Sequence, residues 1–146
     1  MCRSLLLAGA LLVALTVGAR AESAAQIFED FGMLGTWAED CKAPASDTNW
    51  YVEYSALPSG LVSRKHFKGA EPSFEYEIYS PKISGNRISF SMMNVDPRHR
   101  SFGVTLFKRG DRYKVWDMAN EYGHSQFIDG LEADTRIASN WLTKCH

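Results

Sequence analysis

The chain has 146 residues, 45% of them hydrophobic, with 16 basic and 17 acidic side chains and a formal net charge of −1. The apolar share is enough to bury a core, which excludes a disordered chain, and the length suits one domain rather than two. The near-balance of charge argues against a nucleic-acid binder, which would present a basic face.

The first segment has the form of a secretory signal. Arg3 supplies the positive start, residues 5–17 are apolar, and Ala19-Arg20-Ala21 is a small-x-small cleavage site. The apolar run is shorter than the ~20 residues that span a bilayer. Cleavage is expected after Ala21, which gives residues 1–21 as the signal and one exported domain over 22–146, periplasmic or secreted. No cysteine stands where a lipid anchor would need one, and no later segment is apolar for long enough to form a membrane helix, so no membrane insertion is expected. Arg3 and Arg20 leave with the signal while every acidic residue stays, so the exported domain is more acidic than the whole. Cys2 leaves too. Cys41 and Cys145 remain, and an isolated pair in an oxidising compartment bonds. That bond joins the first strand to the C-terminus. A redox role would want a close Cys-x-x-Cys spacing, which the chain lacks.

Ser23 caps a short helix whose apolar face is Ala24, Ile27, Phe28, Phe31 and Leu34, spaced by three and four. Its wet side carries Glu22, Glu29 and Asp30, unlike the basic face of a membrane-surface helix, so the helix is expected to plug one end of a core. Gly32 and Gly35 end it. Gly35-Thr36-Trp37 leads into a first strand that stops at Cys41; the indole offers a large apolar body with one N–H to satisfy. After a polar loop containing Pro44, Ser46, Asp47 and Asn49, strand follows strand through short turns. Residues 50–57 set Trp50, Val52, Tyr54 and Ala56 on one face. Residues 61–68 return with Leu61, Ser63, Lys65 and Phe67 on one side. Residues 74–82 alternate Phe74, Tyr76 and Ile78 against Glu75 and Glu77, and residues 87–95 alternate Ile88, Phe90 and Met92 against Ser89 and Ser91. Beyond the basic loop Asp96-Pro97-Arg98-His99-Arg100 come Phe102, Val104 and Leu106 on one face. The next strand points Tyr113, Val115 and Asp117 one way and Trp116 and Met118 the other. A polar loop over 120–124 precedes a short strand at 126–128, and Asp129-Gly130 is a strong two-residue hairpin signal. The tail, with Ile137, Trp141, Leu142 and Cys145, fits either a strand or a last helical turn.

About eight strands at short, regular spacing predict an antiparallel meander. A disulfide between its ends favours closure, because closure removes both edges. The expected fold is all-β: an eight-stranded antiparallel up-and-down barrel with a short N-terminal amphipathic helix. An outer-membrane barrel would need a uniformly apolar outer face, which Glu75, Glu77 and the basic stretch 64–68 oppose.

The helix, the Gly35-Thr36-Trp37 start and the all-β meander together resemble the lipocalin and avidin-like (calycin) barrels. The resemblance covers most of the exported domain. It implies a tryptophan that seals one end of an eight-stranded barrel and a cup that binds small, often hydrophobic molecules. The Thr-Asp-Tyr motif that many lipocalins carry in mid-chain is absent. For the arginine that packs on the tryptophan late in those chains, the sequence offers Arg136 as a candidate. No polar ring of the avidin kind is recognisable, so no biotin site is implied. Cys41 with the ending Trp141-Leu142-Thr143-Lys144-Cys145 is also similar to small exported bacterial barrels of unknown function, which implies no activity.

The candidate ligand contacts are the polar or polarisable residues on the expected inner faces: Tyr54, Lys65, Tyr76, Met92 and Asp117, with Ser63 and Ser80 beside them. A charge on an inner face is costly unless paired or bound. Lys65 and Asp117 therefore either pair with each other or mark a ligand's polar end. No catalytic centre, metal or cofactor is expected. His66, His99, His124 and His146 are scattered without ligand spacing, no serine stands in a nucleophile elbow, and both cysteines are spent. The expected function is non-catalytic binding of a small apolar or amphipathic ligand in the cup. The alternative is a scaffold that binds a protein, such as an envelope or host enzyme, through the loops over 96–100 and 120–124.

Overall fold

A computed structural model describes residues 22–145. The expected signal segment and His146 lie outside them.

Ser23 opens helix α1, Ala24–Asp30, and its hydroxyl accepts the Gln26 N–H at 3.2 Å. The strands follow as β1 Gly35–Ala38, β2 Tyr51–Ala56, β3 Val62–Phe67, β4 Pro72–Ser84, β5 Arg87–Asn94, β6 Ser101–Arg109, β7 Arg112–Asn120, β8 Ser125–Ile128, β9 Leu131–Glu132 and β10 Leu142–Lys144. All pairings are antiparallel, and β1 through β7 pair in chain order. β10 then lies between β1 and β7, with Trp37 opposite Lys144 and Tyr113 opposite Leu142. The ring therefore closes with eight strands, β1 to β7 and β10. The short strand expected at 126–128 is β8, but it stands outside the ring. It pairs with the C-terminal half of β7 and folds back through Asp129-Gly130 onto β9. The tail, open between strand and helix in the sequence, is the eighth stave. The Cys41–Cys145 disulfide fastens it beside β1.

The end of the barrel at Gly35, Ala56 and Val62 is plugged by α1. Phe28 is fully buried and packs against Tyr54 and Phe90, with ring centres 5.6 and 5.4 Å away. Met33 and Trp37 are equally buried, and the indole N–H donates to the Met33 carbonyl at 2.9 Å. Gly35 precedes Trp37 for a backbone reason: its φ is +119°, and a Cβ there would meet the Lys144 side chain at 3.2 Å. The cation over the Trp37 ring is Lys144, 5.6 Å from its centre. Arg136, the candidate for that place, is exposed in the turn after β9.

The clearest alternation is in β5, where Ile88, Phe90, Met92 and Asn94 are buried and the residues between them exposed. Register shifts break the period elsewhere, and two of them decide where candidate residues point. In β4 the register shifts between Tyr79 and Lys82, which leaves Ser80 exposed at φ +49°. In β7 it shifts at Trp116: Leu106 faces Val115, but Thr105 faces Asp117. An extra residue in one strand exchanges the two faces beyond it. Asn49, read from the sequence as an ordinary loop residue, organises the turn after β1. Its amide accepts the Asp40 N–H and donates to the carbonyls of Asp40, Ala43 and Pro44.

Candidate functional site

The end opposite α1 is open. There β7 has turned away from β10 to pair with β8, and the barrel interior widens into a cup of about 700 Å³. That is within the usual range of small-molecule sites. Its walls are apolar: Trp50 just ahead of β2, Val52 from β2, Phe74 from β4, Val115 and Met118 from β7, Phe127 from β8 and Leu142 from β10. Its rim is polar, with Glu39, Asp47, Thr48, Gln126, Ser139 and Asn140.

Arg64, His66 and Tyr76 face into this space from β3 and β4. Arg64 is 5% exposed, and no carboxylate lies within ion-pair distance of it among the described residues. Its Nε–H donates to the Tyr54 hydroxyl at 3.0 Å and Nη1 lies 3.3 Å from the Met92 sulfur, a weak acceptor. The Tyr54 hydroxyl lies 3.3 Å from that of Tyr113, which is fully buried. Burial works against the charge on Arg64, but the phenols of Tyr54, Tyr113 and Tyr76 outweigh it, and its pKa stays above the ordinary guanidinium value. Burial, with the nearby Tyr54, pushes the Tyr113 phenol well up, so it stays neutral. The cluster is thus a permanent cation held by neutral hydroxyls. A buried charge without a counter-charge costs several kcal/mol.

His66 lies two residues along β3 on the same face. Trp50, Phe74 and Tyr76 surround it edge-on, with ring centres 6.0, 6.5 and 5.9 Å away. The residue is only half-buried, yet both ring nitrogens are shut off from solvent and have no hydrogen-bond partner. Burial, and then the Arg64 charge, lower its pKa from 6.5 to about 2. The unfolded chain accepts a proton on this histidine below about pH 6.5, and the folded chain refuses it. Stability is therefore expected to fall as pH drops through 6.5 toward 2, with about 2 kcal/mol lost from this group by pH 5. Urea unfolding at pH 7 and pH 5 checks this. His66→Phe should remove most of the difference, and an unchanged difference would place its origin elsewhere.

Three of the five expected contacts lie on the inner face, and one of these, Tyr76, is in the lining of the cup. Tyr54 and Met92 hold Arg64, and Tyr76 lines the cup. Lys65 and Asp117 are corrected. Lys65 lies on the outer face of β3, 3.7 Å from the Glu75 carboxylate, because Val62, Arg64 and His66 form the inner row. Asp117 lies outside because the bulge at Trp116 hands the inner place to Met118; its carboxylate accepts the Asp129 N–H at 3.0 Å. They do not pair with each other. Ser63 also belongs to the outer row, where it donates to Glu75, and Ser80 sits in the β4 bulge. His99 and His124 are exposed in loops. Arg64 and His66 were missed as site residues. The signal for them was the hairpin register: Arg64 faces Tyr76 and His66 faces Phe74, and directly paired residues share a face.

Comparison with protein-family models, with curated proteins and with solved structures finds no match to this chain.

Proposed function

We propose that this chain is an exported, non-catalytic barrel that takes a small apolar or amphipathic ligand into its open end. The observation that carries the reading is the cup itself, a concavity walled by aromatic and aliphatic side chains in a barrel whose other end is sealed. Export is supported by the Cys41–Cys145 bond, which persists in oxidising compartments, and by the apolar segment ahead of Ala21. The lipocalin-like architecture points the same way, with the Trp37 end sealed and the opposite end open. His66 is a poor general base, since a group depressed to about 2 takes no proton near neutral pH.

Titration with Nile red, an uncharged apolar dye, tests the reading. Saturable blue-shifted emission at one dye per chain is expected, and Met118→Trp, which narrows the mouth, should weaken binding about tenfold. A dye that does not bind, together with native mass spectrometry showing no small molecule released from freshly purified protein, would count against it.

The partner-binding alternative draws on the loop over 120–124, where Tyr122 is 79% exposed. The other loop offers less than its sequence promises, because Arg98 is ion-paired to Asp96 at 2.5 Å.

A further inference from the structure

We propose that the ligand carries a single carboxylate, and that this head group descends to Arg64 while its apolar body lies against the walls of the cup. This rests on the ligand-binding reading and names the chemistry of the ligand's polar end.

The first argument is charge. Arg64 is a permanent cation inside a barrel, and the carboxylates nearest the cup are engaged elsewhere. Asp47 pairs with Lys68 at 3.6 Å, and Glu39 accepts the Asn140 amide at 2.6 Å. Among the described residues nothing balances the charge, and the ligand is what brings the counter-charge. The second argument is hydrogen-bonding capacity. A guanidinium has five N–H donors. The described residues engage only Nε and Nη1, and the Nη1 contact is to a thioether. Unused donors remain on a group that borders the cavity. His66, on the same strand face, also lines the cup and stays uncharged there. The guanidinium is therefore the group that meets a carboxylate, through the donors the chain leaves free.

The third argument selects the head group. One guanidinium beside a neutral histidine balances one negative charge. A phosphate monoester brings nearly two and would leave the excess buried and unpaired. The apolar walls lie between this floor and the polar rim, so the ligand's body is apolar.

The experiment compares dodecanoate, dodecanol and dodecyl phosphate in displacing Nile red from the full exported chain. The three share a tail and differ in head group. Dodecanoate is expected to bind at least about tenfold more tightly than the other two, the scale of one well-made charged contact. In Arg64→Met, which removes the buried charge at similar volume, that preference should vanish while dodecanol binds as before. The comparison on the unaltered protein stands even if the variant fails to fold. Equal binding of dodecanoate and dodecanol, or tighter binding of dodecyl phosphate, overturns the carboxylate assignment and leaves the cup intact. Failure of Nile red and all three amphiphiles to bind overturns the cup reading and the head-group assignment together.

Discussion

Replacing Cys41 and Cys145 together by serine is expected to lower folding stability by about 4–5 kcal/mol, the chain-entropy value for a loop of ~100 residues. The bond spans 104 positions and so constrains nearly the whole described chain when it unfolds. The native side of the balance points the same way. β10 has three residues and closes the ring through two short ladders, Trp37–Lys144 and Ala38–Thr143 on one side, Leu142–Tyr113 and Thr143–Arg112 on the other. So short a strand depends on a covalent tie to stay in register. Urea unfolding of the oxidised protein and of the double variant, monitored by tryptophan fluorescence, gives the difference. A loss under about 1 kcal/mol, at the floor of the range for disulfides, would show that hydrogen bonds and the Trp37 end hold the ring unaided. The variant should also bind Nile red less well, because β10 carries Leu142 into the wall of the cup.

Much of the barrel was legible because its strands obey one rule. β5 alternates without exception, β4 does so through Ile78, and their turns carry the glycines that positive φ demands, such as Gly85 at +58°. The inner face was legible where the interior is aromatic or soft, which placed Tyr54, Tyr76 and Met92 inside. It was illegible in β3 for a physical reason. A strand whose inner row is Val62, Arg64 and His66 has two polar residues where the pattern expects apolar ones. The face bearing Leu61 and Phe67 then reads as buried, and the row moves by one. The residues that make the cup distinctive are the ones that disguise it. In β7 the cause is different. Nothing in Val115-Trp116-Asp117 announces a bulge, and one extra residue sends Asp117 out and Met118 in. β10 is too short to show any period.

Trp37→Ala is expected to cost about 3–5 kcal/mol, the usual range for deleting a fully buried large aromatic side chain. Trp37 has no exposed surface, and its ring meets Tyr113 edge-on at 4.9 Å. Trp37→Phe should fall between wild type and alanine. It keeps a ring but leaves the Met33 carbonyl without its donor, a loss of about 1–3 kcal/mol where that carbonyl is buried. Urea unfolding of the three proteins orders them, and an alanine variant within about 1 kcal/mol of wild type would contradict the role of Trp37 as the seal. The effect should also reach the cup. Trp37 supports Tyr113, the Tyr113 hydroxyl lies 3.3 Å from that of Tyr54, and Tyr54 holds the Arg64 Nε–H at 3.0 Å. Removing the indole frees Tyr113 to shift toward the void, and the guanidinium loses the fixed position on which selection between dodecanoate and dodecanol depends. Trp37→Ala is therefore expected to narrow that selection while Nile red, which needs only the apolar walls, still binds. If the preference survives intact, Arg64 is held by Met92 and its own strand, and the seal and the floor of the cup are independent.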